Sequence, residues 1–129
     1  AGASGGCQAE IGSGSGMTAA AICAVKGGSA VQMGHACAMA LKNLMGLVCD
    51  PVAGLVEVPC VKRNVGGAVN ALAAADMALA GIASHIPVDQ VIDAMGEVGM
   101  KMDVSLRETS MGGVATSPKG LEIAERLGM

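Results

Sequence analysis

Apolar and polar positions along the chain fall into helical stretches separated by Gly and Pro signals. Met17–Lys26 reads as a compact Ala-rich helix that the Gly27-Gly28 pair ends. Ser29 then caps a helix to about Leu44, with Gly46 as its stop and a broad apolar face of Val31, Gly34, Cys37, Met39, Leu41 and Leu44. Leu47–Lys62 holds two prolines, a glycine and two cysteines, and reads as irregular chain with short turns. Asn64–Ile82 has Asp76 as its only charge, which predicts a helix buried nearly all round. Ile86-Pro87 opens a helix over Val88–Val98, and Ser117-Pro118 gives the same start signal for a last helix closing at Gly128. The first sixteen residues, AGASGGCQAEIGSGSG, are too rich in Gly and Ser to be regular throughout. No sustained alternation marks a strand. The fold class is therefore all-α: an Ala/Gly-rich helical bundle with irregular Cys-bearing loops.

Composition narrows this further. The 129 residues suffice for one domain, residues 1–129, and 52% hydrophobic against 15% charged excludes disorder. A net charge of −3 with eight basic residues leaves no nucleic-acid footprint. Phe, Tyr and Trp are absent, so the core must be Ala, Val, Leu, Ile and ten Met. The longest uncharged stretches, Ile11–Val25 and Gly27–Leu41, stop short of the roughly 20 residues a membrane-spanning helix needs, so no membrane partner is expected. No basic segment precedes an apolar run with a cleavage site, which predicts a cytoplasmic chain. The first residue is Ala, so a fragment of a longer chain or a processed subunit is expected.

Five cysteines, an odd number without compact disulfide spacing, are expected to be reduced. Cys23 and Cys37 lie in Ala-rich helices and read as packed small side chains. Cys7, Cys49 and Cys60 stand in loop-like sequence beside Gly or Pro, where a scaffold can aim ligands. Their spacing fits no compact ligand pattern, so a metal or iron–sulfur site and unrelated loop cysteines both stay open on spacing alone.

The segments GGCQAEIGSGSGMTAAA, ALKNLMGLVCDPVAGLVEVPCVKRN, ALAAADMALAGI and SLRETSMGGVATSPKG closely resemble the C-terminal half of the α chain of bacterial iron–sulfur L-serine dehydratases (L-serine ammonia-lyases). The likeness runs over nearly the whole chain. It implies a 4Fe-4S cluster held by three cysteines, which fall here on Cys7, Cys49 and Cys60. Three ligands for four irons leave one iron open as a Lewis acid. The implied reaction is β-elimination of water from L-serine, giving pyruvate and ammonia. The likeness also implies an upstream α segment and a β domain or subunit, and thus a homo- or hetero-oligomer. The alternatives are a related 4Fe-4S cysteine desulfidase or other amino-acid deaminase, a non-catalytic helical subunit with structural cysteines, and a membrane-associated helical bundle.

Other polar residues take their meaning from that context. Lys62, Arg63 and Asn64 follow Cys60 directly; cations are unfavourable at a helix start, and an Arg fork suits the carboxylate of a serine substrate, so the set is a candidate for substrate binding. The bland reading is a pair of solvated charges. Glu10 and Glu57, each three residues from a cysteine, are candidates to orient ligands or move protons, with surface carboxylates as the alternative. His35 reads as a hydrogen-bonded or surface histidine, and His85 has no partner to name.

Overall fold

A computed structural model describes residues 1–129. It contains α1 (Gly2–Gly5), a π turn (Gln8–Gly12), α2 (Ser13–Val25), α3 (Ala30–Asn43), α4 (Cys60–Leu79), α5 (Val88–Lys101) and α6 (Pro118–Arg126). Three short 3-10 turns, Val52–Gly54, Val104–Leu106 and Gly113–Thr116, punctuate the connections. The all-α expectation holds, and the only β feature is an isolated bridge between Cys49 and Arg107.

The elements follow from local signals and then from packing. Ser29 caps α3 in a full capping box: its hydroxyl accepts from Gln32 N at 3.1 Å while Gln32 Oε1 accepts from Ser29 N at 2.9 Å. Pro118 sits in the first turn of α6, and Ser117 Oγ accepts from Gly120 N. Pro87, by contrast, lies just outside α5 as its N-cap, and α5 runs on to Lys101. The glycine-rich opening is more regular than its composition suggests. Helical backbone runs from the π turn into α2, which starts at Ser13 instead of Met17, because the small residues serve close packing. A Cβ on Gly16 would stand 3.1 Å from Leu41 Cγ of α3, so glycine lets the two helices approach.

α2, α3 and α4 form the centre of the bundle around Ala19, Cys23, Ala36, Met39, Ala40, Ala71, Ala74, Ala75 and Ala78. A second cluster, Ala38, Leu41 and Val91, attaches α5 to the other side of α3. Alanine contributes little transfer energy, about 0.8 kcal/mol per buried methylene-sized group. Polar side chains therefore add to the joint between helices. Ser15 Oγ donates to Gly67 O at 2.7 Å. Asn70 Nδ2 donates to Ser15 Oγ at 2.9 Å and Ala40 O at 3.0 Å, while its Oδ1 accepts from Asn43 at 2.9 Å.

Helix α4 corrects two expectations. It begins at Cys60 and not at Asn64, so Lys62, Arg63 and Asn64 lie within its first turns. Nor is it buried all round: Gly67, Ala71, Ala74, Ala75 and Ala78 face the core, while Val61, Val65, Val69 and Leu72 form an exposed apolar stripe on another face. No helix is long and apolar enough to cross a membrane.

Candidate metal centre

Three separate segments each deliver one thiol to one place. Cys7 opens the π turn in helical conformation, φ −64° and ψ −19°, instead of lying in a loop. The residue before it, Gly6, has φ +73°, and a Cβ there would meet Met102 Sδ at 2.7 Å and Leu47 O at 2.8 Å, so the entry to Cys7 requires glycine. The residue after it is locked as well. Gln8 is 1% exposed, donates through Nε2 to Met95 O at 3.0 Å and accepts at Oε1 from Gly46 N at 2.8 Å.

Cys49 lies on extended backbone paired with the segment after α5: Cys49 N donates to Leu106 O at 2.8 Å, and Glu108 N to Cys49 O at 2.9 Å. Cys60 is the first residue of α4, carried there by a loop with left-handed Ala53 and Gly54 that closes through Val52 N to Val58 O at 2.9 Å. Cys7 and Cys49 are buried against each other with Ile11, and Cys60 packs against them. All three thiols are free and line a cavity of about 190 Å³, whose polar wall is completed by Glu10, Asn64 and Glu108.

The three thiols pack together at one wall of the cavity, without a fourth His, Cys, Asp or Glu that completes a single-ion site. Burial pushes all three above the ordinary thiol range. Negative charge adds to this, from Cys49 on Cys7, from Cys7 on Cys60, and from Glu10 and Glu108 on Cys49. Arg63 acts the other way on Cys7 and Cys60. Metal binding here must displace protons. Sulfur donors at this density suit zinc, copper(I) or iron–sulfur centres over hard cations. Gly2 keeps space next to Cys49, where a Cβ would come within 2.9 Å of Sγ. Three sulfur donors from three separate segments on one cavity are chemically suited to an iron–sulfur centre.

Not every candidate converges on the cavity. Asn64 and Glu10 line it, and both also line a shallower groove between α2 and α4. Lys62 and Glu57 are exposed and outside its lining. Arg63 turns inward: its Nη1 donates to Asp50 Oδ1 at 2.6 Å and to Val48 O at 2.9 Å. Burial opposes the guanidinium charge, but Asp50 outweighs that and holds the Arg63 pKa above its usual value. Cys23 is fully buried as expected, and Cys37 is half-buried with its thiol raised by burial. His35 Nδ1 accepts from Ser84 N at 3.1 Å, while His85 is exposed.

Two further residues of the site belong to no recognisable motif. Asp50 is 2% exposed and uses both oxygens, Oδ2 accepting from Val114 N at 2.7 Å. A charge inside the otherwise apolar VCDPV run was the available signal. Glu108 reaches the cavity from left-handed backbone, φ +69°, which is uncommon for a residue other than glycine. No local signal marks such a conformation.

By fold and site, this is an all-helical chain that brings three free thiols to one cavity. The sequence comparisons go further: residues 1–115 match the serine dehydratase alpha chain family, and the chain belongs to that family. It is 62% identical over 98% of its length to a probable L-serine dehydratase alpha chain of Bacillus subtilis, and 61% identical over 95% to one of Latilactobacillus sakei. It is also 54% identical over 95% of its length to the L-serine dehydratase alpha chain of Peptoniphilus asaccharolyticus. The chain spans 42%, 59% and 42% of those relatives, respectively.

Proposed function

We propose that this chain is the cluster-bearing part of an iron–sulfur L-serine dehydratase, with Cys7, Cys49 and Cys60 as the ligands of a 4Fe-4S cluster. The observation that carries the reading is the convergence of these three thiols, from three separate segments, on one cavity. Family membership and the names of the relatives support serine as the substrate. When bound by three thiolates, such a cluster leaves one iron free of protein ligands and supplies Lewis-acid assistance to departure of the serine hydroxyl.

The chain's own residues supply the surroundings. Burial of Cys7 and Cys49 excludes water from their side of the cavity. Asn64, at the cavity wall, presents a neutral amide to a polar ligand, although its Nδ2 already donates to Cys60 O at 3.0 Å. Glu10 and Glu108 are the carboxylates on the wall, placed to accept a proton from, or hold, a substrate ammonium group. Lys62, on the exposed side of the same helical turn, is placed to draw in the substrate carboxylate from solvent. The exposed Val61, Val65, Val69 and Leu72 stripe supports further chain packing here, an upstream α segment or a β chain, in a cytoplasmic assembly.

The test is anaerobic reconstitution of the full chain with iron and sulfide, followed by absorbance and EPR spectra, next to Cys49→Ser. Without Tyr or Trp the protein is nearly transparent near 280 nm, so a visible cluster band stands out. The expected result is a band lost in the variant and an EPR signal that changes on adding L-serine. A full chain that stays colourless and binds no iron refutes the reading.

A further inference from the structure

We infer that Asp50 and Arg63 are positioning residues that lock the Cys49 and Cys60 segments together and set one fixed positive charge against the sulfurs. This inference rests on the cluster reading above. Arg63 is one helical turn beyond Cys60 on α4. Its Nη1 bonds Val48 O at 2.9 Å and Asp50 Oδ1 at 2.6 Å, the residues on either side of Cys49. The same guanidinium favours the thiolate form of Cys7. A single side chain therefore ties the Cys60 helix to the Cys49 segment and acts electrostatically on Cys7.

Asp50 is fixed independently. Its second oxygen accepts from Val114 N at 2.7 Å, and Gly113 packs so tightly on it that any Cβ there would overlap the carboxylate. The carboxylate cannot swing away from Arg63 without breaking that joint. Arg63 is thus engaged inside the protein, which leaves Asn64 as the one residue of the Lys62-Arg63-Asn64 run that lines the cavity, with Lys62 exposed outside it. Around the sulfurs the other charged groups, Glu10 and Glu108, are negative. Net charge and hydrogen bonding around the sulfurs set the reduction potential of an iron–sulfur centre. Removing the guanidinium makes the centre harder to reduce, and removing the carboxylate makes it easier.

The experiment uses the full chain, reconstituted anaerobically, as wild type, Arg63→Met, Arg63→Lys and Asp50→Asn. Iron and sulfide per chain and the midpoint potential, from an EPR-monitored redox titration, are the readouts. Arg63→Met is expected to shift the potential to more negative values and Asp50→Asn to more positive ones, with Arg63→Lys near wild type. If Arg63→Met takes up no cluster while Arg63→Lys does, the need for the charge is supported directly. Loaded variants with unshifted potentials, shifts of the same sign, or loss of loading in Arg63→Met and Arg63→Lys alike overturn the inference. A wild-type chain that binds no iron overturns the cluster reading instead.

Discussion

Asp50→Asn tests the reasoning about the site in the metal-free chain, where only folding is at stake. The substitution keeps shape but removes the charge. The native carboxylate accepts from Arg63 at one oxygen and from Val114 N at the other, and its side chain is 2% exposed. An amide has only one accepting end, so one of those donors must face an N–H group. Breaking a buried charged pair on one side costs about 3–5 kcal/mol. Arg63 is 22% exposed and regains some water, so the lower end, about 3 kcal/mol, applies. At about 4 °C per kcal/mol for a chain of this size, the Tm falls by about 12 °C. The control is Asp76→Asn, which breaks the Lys26–Asp76 pair at 3.3 Å, 53% and 66% exposed. That pair is worth at most about 1 kcal/mol. Thermal unfolding followed by circular dichroism reads both. Equal Tm shifts in the two variants, or a shift below about 4 °C in Asp50→Asn, would show that the buried pair does not hold the site.

Three further outcomes are expected. Cys60→Ser abolishes iron uptake in reconstitution with little change in Tm, whereas Cys23→Ser, which places a hydroxyl in the alanine core, lowers stability by about 1–2 kcal/mol and leaves iron content intact; the reverse pattern in iron analysis would refute the sorting of the cysteines. Asn70→Ala loses about 2 kcal/mol of interhelical hydrogen bonding and regains up to about 0.7 from helix propensity, a net loss near 1.5 readable by urea unfolding, and an unchanged midpoint would refute it. Because burial raises the folded thiols of Cys7, Cys37, Cys49 and Cys60, the folded metal-free chain keeps protons that unfolded thiols release near pH 8.5. Their contribution is complete below that pH and is lost as pH rises through the raised values, so Tm declines on the alkaline side; a flat Tm between about pH 8 and 10 would contradict it.

Much of this was legible where a residue's local chemistry decides its structure. Ser29, Gly46 and Ser117-Pro118 mark ends by hydrogen bonding and backbone preference, and α3 and the start of α6 follow them. The boundaries that shifted are those where tertiary contact overrides preference. Gly16 argues against helix locally, yet its lack of a side chain is what lets α2 lie against Cys37 and Leu41 of α3. The cations at 62 and 63 argue against a helix start, yet α4 begins before them because Asp50, distant in sequence, receives Arg63. The apolar stripe of α4 could not be told from a core face, since composition records what is hydrophobic and not what covers it. At the site, the three cysteines stood out by type and setting. Asp50 and Glu108 did not, because their importance arises from a partner 13 residues away in one case and a backbone twist in the other.

The π turn at Gln8–Gly12 has a consequence for evolution and engineering alike. A π turn accommodates one residue more than the α-helix it interrupts, and each residue of an α-helix advances the direction of its side chains by roughly 100°. The angular phase of Cys7 relative to α2 is therefore set by this one surplus residue. Deleting Ala9 would let the segment relax into a continuous α-helix, with α2 and its alanine contacts undisturbed and Cys7 rotated by more than a quarter turn away from Cys49 and Cys60. The α2–α3–α4 centre keeps its contacts after such a deletion, while Gln8 loses its bonds to Met95 O and Gly46 N and Cys7 turns away from the other two thiols, so one codon couples the local register to the site.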